Sequence, residues 1–242
     1  EIKKDHSLQL KLLVGGMHLS REFGLTYKTI EDDGFVCDEK VEMILSSDTP
    51  VSTCKSIGLG LIGFSEALTR LGPDIFVVLG DRFESMAATL AAFVCQIPVA
   101  HIQGGESTLG AIDDQFRHSM TKMSLLHFVA ADDYRKRVIQ LGEDPLRVFN
   151  YGAINVEAMK DVALLDKARV EREINFSFGS GCLLVTFHPV TLEKNTASEQ
   201  FSQLLDALSS FKALKIIFTK TNADTNRRVI NSLIDKYVEE NP

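Results

Sequence analysis

Short apolar runs alternate with longer amphipathic segments through the middle of this 242-residue chain. Each run is bounded by Gly, Pro or Asp, which is typical of a buried strand, and each segment between runs is long enough for a helix. This β–α–β–α order predicts a parallel, doubly wound sheet with right-handed crossovers. The predicted strands cover residues 75–79, 97–102, 127–130 and 147–150, and the predicted helices cover 83–94, 115–125 and 133–141.

The alternation extends to both sides of this region. Upstream we predict a strand over residues 8–14 and a helix over 50–71. Beyond a charged connection we predict strands over 182–187 and 214–219 and helices over 197–211 and 224–238. We therefore expect an α/β protein with two Rossmann-like domains, 1–155 and 156–242. Two strands are too few for a parallel sheet covered on both faces, so we expect the chain to be cut at both ends and its second domain to be incomplete.

The composition argues against several classes of function. A net charge of −7 disfavours a nucleic-acid partner or an anionic membrane surface. We find no run of apolar residues long enough to span a membrane and no apolar core of a signal peptide. The four cysteines form no C-x-x-C pair and the six histidines lack metal-ligand spacing. These features predict no metal site and a cytoplasmic protein with reduced thiols.

Charged residues and paired glycines follow the predicted strands. Ligands of open α/β sheets bind outside the carboxyl ends of the strands, so Asp81, Glu106 and Asp113 predict chemistry on a small polar molecule. Arg82, at the start of a helix, is suited to hold a phosphate. The motifs that carry these residues are Gly80–Glu84, His101–Glu106 and Ile112–Asp114.

Each of these residues also has a structural interpretation. Asp81 and Glu84 have the spacing of a capping box, and Asp113 and Asp114 could be the N-cap and a first-turn acid of the next helix. Arg82 could be a solvated surface arginine. Gly104-Gly105 would let a ligand approach the backbone closely, but it is also an ordinary turn sequence. The convergence of several acids on one sheet edge favours a function, since a cap needs only one acid.

In the second domain, His188 follows a predicted strand, and Pro189 ends that strand. A histidine there would face the cleft between the domains, where a diphosphate could accept its proton. Asn222 and Asp224 follow the next strand and would lie beside His188. Both could instead cap the following helix.

Six stretches, taken together and in order, resemble one known family. They are GGMHLS, GDRFES, HIQGGE, AIDDQFRHSMTK, TFHPVTLEKN and KTNADT. The chain is similar to the hydrolysing UDP-N-acetylglucosamine 2-epimerases, most closely to their bacterial sialic-acid and capsule-biosynthesis branch. The resemblance implies a two-domain fold of the glycosyltransferase-B type, a nucleotide sugar in the interdomain cleft, a homodimer and no cofactor. It also implies that the first strand and the end of the second domain are missing from this chain.

The resemblance assigns roles residue by residue. Asp81 matches the cleft aspartate of the family, and Arg82 matches the adjacent arginine that reaches the nucleotide. The other matches are a histidine after the second strand, the first acid of the IDD motif, a histidine near the diphosphate and a nucleotide-side asparagine, here His18, Asp113, His188 and Asn222.

One position departs from the family pattern. Many members have glutamate where this chain has Gln103, and that glutamate is a usual candidate for proton transfer. Because glutamine cannot act as a carboxylate base, proton transfer would fall to Asp81, Asp113 or Glu106, and Gln103 would bind substrate.

The implied reaction converts UDP-N-acetylglucosamine and water to N-acetylmannosamine and UDP through elimination to a glycal and rehydration. Three alternatives stay open. The first is the same chemistry on a diacetylated, bacillosamine-type nucleotide sugar. The second is a glycosyltransferase, which would consume donor without releasing a free 2-epimerised sugar. The third is a non-catalytic nucleotide-sugar binder, which would give no turnover.

Overall fold

The computed structural model describes residues 2–193 and 196–241. They form two compact units that divide between Ala153 and Ile154, and each unit is described by itself. Lys194 and Asn195, which end the motif TFHPVTLEKN, lie outside the described residues.

The first unit is built on parallel strands. They are β1 (Leu13–Gly15), β2 (Glu39–Val41), β3 (Phe76–Leu79), β4 (Val99–Ile102), β5 (Leu126–Val129) and β6 (Val148–Asn150). The last four form one parallel sheet in the order β3-β4-β5-β6, while β1 and β2 form a separate parallel ladder. Since all strands of a parallel sheet end at the same edge, the loops that follow β3 and β4 leave the sheet side by side.

The helices of this unit are α1 (Tyr27–Asp32), α2 (Pro50–Leu71), α3 (Phe83–Val94), α4 (Ile112–Met123) and α5 (Asp132–Gln140). α2 has a proline at its first position. The preceding Thr49 side chain accepts a hydrogen bond from the Ser52 N–H, with Oγ1 and N 3.3 Å apart. The helix ends at Gly72 in the left-handed conformation. α2 packs along α3, and both helices bury small or aromatic side chains such as Phe64 and Ala87.

The parallel sheet and the helices predicted over 50–71 and 83–94 are confirmed. The strand predicted over 8–14 is wrong for residues 8–12, because only Leu13–Gly15 pair with β2 and Leu8 is exposed. The helix predicted from Gln115 begins three residues earlier, at Ile112. Its N-cap residue is Ala111, which has extended backbone and no capping side chain, so no acid marks the boundary.

The second unit has its own small core. Its elements are α6 (Ile154–Asp161), α7 (Lys167–Glu173), β7 (Cys182–Val185), α8 (Ala197–Leu208), β8 (Lys215–Phe218) and α9 (Arg227–Glu240). β7 and β8 pair in parallel. Phe201 of α8 is fully buried, with its ring centroid 5.1 Å from that of Phe187 and 6.4 Å from that of Phe218. Across residues 2–193 and 196–241, every helix is too short or too polar to cross a membrane.

We predict that Phe201→Ala lowers the free energy of unfolding by about 3–5 kcal/mol, because it removes a fully buried ring and leaves a cavity. Phe211→Ala is the matched control. Its ring is 50% exposed, so we expect a change within about 0.5 kcal/mol. Denaturant unfolding of both variants measures the difference, and equal losses would contradict this description of the core.

Candidate active site

The first two strand exits of the four-stranded sheet lie next to each other. Leu79, the last residue of β3, is paired with Ile102, the last residue of β4. The Gly80 N–H donates to the Ile102 carbonyl oxygen, with N and O 3.1 Å apart, so the pairing continues one residue past the strand. Asp81 and Gln103 therefore leave the sheet as neighbours, as the sequence predicts.

Asp81 is held by a buried arginine. Arg117 of α4, whose side chain is only 5% exposed, donates from Nη2 to Asp81 Oδ2. The N-cap residue of α3 is Arg82, and it makes no side-chain cap. The capping-box interpretation of Asp81 and Glu84 is therefore wrong, because Asp81 lies one residue before the cap and its carboxylate bonds across to another helix.

The two acids of the IDD motif lie in the first turn of α4. Asp114 Oδ1 accepts from the Thr108 N–H at 2.7 Å and lies 3.4 Å from Arg117 Nη1. Asp114 thus ties the loop before α4 to the arginine that holds Asp81. Asp113 is half-buried beside it, and neither acid is the N-cap residue, so the capping interpretation of Asp113 is wrong. Both acids do lie in the first turn, where a carboxylate is favoured by the helix dipole, so the first-turn interpretation is confirmed.

Sequence reasoning missed Arg117. The helix was predicted to begin at Gln115, which left Asp113 and Asp114 outside it. With the helix beginning at Ile112, Arg117 follows Asp113 by four residues and Asp114 by three, and residues at those spacings share one helical face. That spacing of the two acids and the arginine is the signal in the sequence from which Arg117 could have been identified.

The Gly104-Gly105 pair is required by packing inside the protein. A Cβ on Gly104 would lie 3.0 Å from His101 Nδ1 and 3.1 Å from Thr121 Oγ1. Gly105 has φ +82°, and a Cβ there would overlap the Tyr134 carbonyl oxygen. Contacts within the protein thus explain why both positions are glycine, without the expected close approach of a ligand to this backbone. Glu106 follows them and is half-buried.

Gln103, at the exit of β4, has an uncommon backbone conformation. Its φ of +63° is in the left-handed region, which costs energy for a residue with a Cβ. The Gln103 N–H donates to the Phe128 carbonyl oxygen at 2.8 Å, so the turn is held by the neighbouring strand. The side chain that stands in the glutamate position of the family is therefore carried on a fixed turn.

His101 is a fully buried histidine behind these exits. Its Nε2 lies 2.8 Å from the Gly80 carbonyl oxygen and its Nδ1 lies 3.2 Å from Thr121 Oγ1. Burial lowers the pKa of His101 to about 4, so the ring is neutral at pH 7. Because a carbonyl oxygen only accepts, Nε2 carries the ring proton and Nδ1 is left as an acceptor facing the Thr121 hydroxyl, whose single proton has a second acceptor in the Arg117 carbonyl oxygen, 3.0 Å away.

His18 and Arg82 line one cavity of about 390 Å³ beside β1 and β3. The cavity also has apolar walls, including Leu13 and Phe64. Arg82 Nε lies 3.5 Å from Glu84 Oε2, and the Arg82 side chain is 24% exposed, so it is not the solvated surface arginine of the structural interpretation. His18 is exposed, and its Nδ1 lies 2.8 Å from Thr26 Oγ1.

The predicted residues of the second unit also follow strand ends. His188 is exposed and comes three residues after β7, and the next residue, Pro189, is buried. Asn222 and Asp224 are half-buried between β8 and α9. The N-cap residue of α9 is Asn226, so neither of them is the cap. Among the described atoms, Asn222 Oδ1 is buried without a hydrogen-bond partner.

The nine predicted site residues therefore fall into two groups. Six lie in the first unit, Asp113 in the first turn of α4 and the other five after its strands, where Asp81 is joined to α4 and His18 shares a cavity with Arg82. Three lie in the second unit. That the two groups form one cleft stays a prediction.

The lowered pKa of His101 gives a pH dependence of stability. Between about pH 6.5 and 4, the unfolded chain binds a proton at this position that the folded state does not bind. Lowering the pH from 7.5 to 4.5 should therefore reduce the free energy of unfolding of the wild type by about 2 kcal/mol more than that of His101→Gln. Urea unfolding at both pH values measures the two losses, and equal losses would show that His101 titrates normally in the folded state.

The sequence model of the UDP-N-acetylglucosamine 2-epimerase family matches residues 1–241. The chain is 42% identical over 241 residues to a GDP/UDP-N,N'-diacetylbacillosamine 2-epimerase (hydrolyzing) of Campylobacter jejuni, with 100% of this chain and 62% of that protein covered. It is 35% identical to polysialic acid biosynthesis protein P7 of Escherichia coli, over 99% of this chain and 61% of that protein. The chain thus spans less than two thirds of the length of these curated relatives.

A solved structure shares the fold. The UDP-GlcNAc 2-epimerase of Neisseria meningitidis bound to UDP-GlcNAc superposes with a TM-score of 0.74 at 18% identity, covering 98% of this chain and 64% of that one. This likeness confirms the expected α/β fold of the glycosyltransferase-B type. From the match over nearly its whole length and from relatives such as these, above 30% identity, we conclude that the chain belongs to the UDP-N-acetylglucosamine 2-epimerase family.

Proposed function

We propose that the protein is a hydrolysing 2-epimerase of a UDP-linked 2-acetamido sugar. The observation that carries the proposal is the strand exit at which buried Arg117 holds Asp81 next to the first turn of α4, where Asp113 lies. Membership of the epimerase family supports the same reaction. We further expect a cytoplasmic homodimer, by likeness to the family.

The chemistry explains why carboxylates are needed. The C2 hydrogen of the sugar is not acidic, since no carbonyl group is adjacent to C2. Breaking the bond between C1 and the diphosphate oxygen builds positive charge at C1, and this makes the C2 proton removable. A carboxylate near C1 and C2 stabilises that charge and accepts the proton.

Asp81 and Asp113 are the proposed proton-transfer groups, with Glu106 as the third carboxylate. Asp81 bonds to Arg117 through Oδ2, so the proposed proton transfer takes place at Oδ1. Gln103 offers an amide at the next strand exit, which suits hydrogen bonding to the sugar. Because Gln103 is not a carboxylate, proton transfer is left to Asp81 after β3 and to Glu106 and Asp113, which follow Gln103 in the β4–α4 loop and in the first turn of α4.

Cationic and polar groups would bind the nucleotide. Arg82 and His18 line the cavity beside β1 and β3, and a guanidinium is well suited to a phosphate. In the second unit, we assign His188 to the departing diphosphate and Asn222 and Asp224 to the nucleotide. The buried Asn222 Oδ1 supports this role, since a ligand donor would satisfy it.

The proposed reaction has two balanced steps. In the first, a carboxylate removes the C2 proton, the bond between C1 and oxygen breaks, and UDP departs with the electron pair to leave a glycal. In the second, water adds across the double bond, with OH to C1 and a proton to the opposite face of C2. The products are UDP and the free 2-epimer, and no electron transfer or cofactor is required.

Two nucleotide sugars are candidates for the substrate of this reaction. The 42% identity to a diacetylbacillosamine epimerase favours a diacetylated sugar. UDP-N-acetylglucosamine, the substrate implied by the sequence resemblance, is the second candidate. It is supported by the description of the family and by a relative of that name from Neisseria meningitidis at 27% identity.

We predict that kcat/KM for UDP-N,N'-diacetylbacillosamine exceeds that for UDP-N-acetylglucosamine by about tenfold or more, a difference that one additional substituent in a pocket can produce. Release of UDP and of free sugar is measured for each nucleotide sugar with the full-length protein. The reverse preference would assign UDP-N-acetylglucosamine. Donor consumption without free 2-epimer would indicate a glycosyltransferase, and the absence of any turnover would indicate a binding protein.

We predict that Asp81→Asn and Asp113→Asn each lower kcat by about 10²–10⁴, the usual effect of removing a positioned acid or base. The fold should persist in Asp81→Asn, because Asp114 still pairs with the buried Arg117. Asp133→Asn is the matched control. It removes an acid from the first turn of α5 whose side chain is 81% exposed, and its turnover should equal that of the wild type. Wild-type turnover in Asp81→Asn or Asp113→Asn would refute the role of that residue.

A further inference from the structure

We propose that His101 is a positioning residue for Asp81, which fixes both the backbone before the carboxylate and the helix that holds it. The inference rests on the catalytic role proposed for Asp81. It gives a role to a fully buried histidine that is needed neither for the pairing of its strand nor for direct contact with the substrate.

The first contact controls the backbone at Asp81. His101 Nε2 donates to the carbonyl oxygen of Gly80, 2.8 Å away, and that carbonyl belongs to the peptide bond that leads into Asp81. Gly80 has φ +81°, so the chain turns sharply there. The hydrogen bond from His101 therefore fixes the peptide plane from which the Asp81 side chain departs.

The second contact controls the helix that carries the partner of Asp81. His101 Nδ1 lies 3.2 Å from Thr121 Oγ1, and Thr121 Oγ1 lies 3.0 Å from the carbonyl oxygen of Arg117, one helical turn earlier. Arg117 in turn donates to Asp81. The contacts form a ring from Gly80 through Asp81, Arg117 and Thr121 to His101, in which the single Thr121 hydroxyl proton lies between His101 Nδ1 and the Arg117 carbonyl oxygen. We expect a shift at any member of this ring to displace the carboxylate.

The surroundings leave His101 little freedom. A Cβ on Gly104 would lie within 3.3 Å of three atoms of the His101 and Thr121 side chains, so this glycine allows the loop to close directly on their contact. Burial keeps the ring neutral at pH 7, because the pKa of His101 is lowered to about 4. A neutral ring keeps the donor on Nε2 for the Gly80 carbonyl oxygen and leaves Nδ1 as an acceptor for the Thr121 hydroxyl proton, which the Arg117 carbonyl oxygen also accepts.

A neighbouring histidine provides a control. His127 of β5 is paired in register with His101 and is equally buried, at 1% exposed against 0%. Its Nε2 lies 3.1 Å from Glu143 Oε2, and within residues 2–193 and 196–241 its ring hydrogen-bonds to neither Asp81, Arg117 nor Gly80. A general loss of packing in the sheet should affect both histidine variants, whereas a loss of positioning should affect only the His101 variant.

The kinetic test compares His101→Leu with His127→Leu in the full-length protein on the nucleotide sugar that the wild type turns over best. We expect His101→Leu to lower kcat about 10–100-fold with KM changed less than about threefold, since a small misplacement of a reacting group can cost about 10²-fold. His101→Gln, which restores an N–H toward Gly80, should recover part of the loss. His127→Leu should keep kcat within about threefold. A loss of kcat that is equal in the two leucine variants would overturn the proposal.

A double-mutant cycle tests whether His101 acts through Asp81. In the Asp81→Asn background, His101→Leu should lower kcat less than about threefold further, because the group that it positions is already gone. If the two losses multiply in full, His101 acts independently of Asp81 and the inference is wrong. Should His101→Leu fail to fold, Thr121→Val breaks the same ring with a side chain of similar shape and enters the cycle in its place.

A structural readout separates this inference from the proposed function. Crystal structures of His101→Leu and Thr121→Val should show the Asp81 carboxylate displaced by about 1 Å or more, with Asp81 unmoved in His127→Leu. If no nucleotide sugar is turned over by the wild type, the proposed function fails, and these structures still decide the positioning. An unmoved Asp81 in both ring variants would overturn the positioning, whatever the turnover.

Discussion

The bond between the buried guanidinium of Arg117 and the Asp81 carboxylate is the interaction on which the candidate site depends. A buried charge is costly unless it is paired and hydrogen-bonded, so Arg117 requires acceptors around it. It obtains them from Asp81 at the exit of β3, from Asp114 on its own helix and from the Thr108 hydroxyl. One side chain thus joins a strand exit, a helix and the loop before that helix.

The parallel sheet explains why these groups meet. β3 and β4 end in register, so the turns at Gly80 and Gln103 leave from the same edge. α4 begins at that edge and runs back beside the sheet. Its first turn, with Asp113 and Asp114, therefore lies close to the strand exits. The loop after β3 therefore supplies Asp81, and the loop between β4 and α4, together with the first turn of α4, supplies Glu106, Asp113 and Asp114.

The sequence predicted elements well where local signals mark both ends. α2 is marked by Pro50 at its start and Gly72 at its end, and its predicted bounds agree with the structure. α4 has no such mark, since its N-cap residue Ala111 has no capping side chain. From the local sequence alone, the two acids of its first turn look like residues that cap the helix. Because the predicted helix begins only at Gln115, the four-residue spacing that places Asp113 and Arg117 on one helical face is not recognised from the sequence. Gly104 and Gly105 were predicted to lie in the site, but contacts with His101, Thr121 and Tyr134 explain them, and such contacts depend on tertiary structure.

The central claim is that the carboxylates gathered at this edge remove and replace the proton at C2 of a nucleotide sugar. The most direct measurement is proton NMR of the full-length protein acting on its preferred UDP-sugar in heavy water. The account predicts UDP together with a free 2-epimerised sugar that carries deuterium at C2. A free 2-epimer that retains the original hydrogen at C2, or sugar released without inversion, would contradict it.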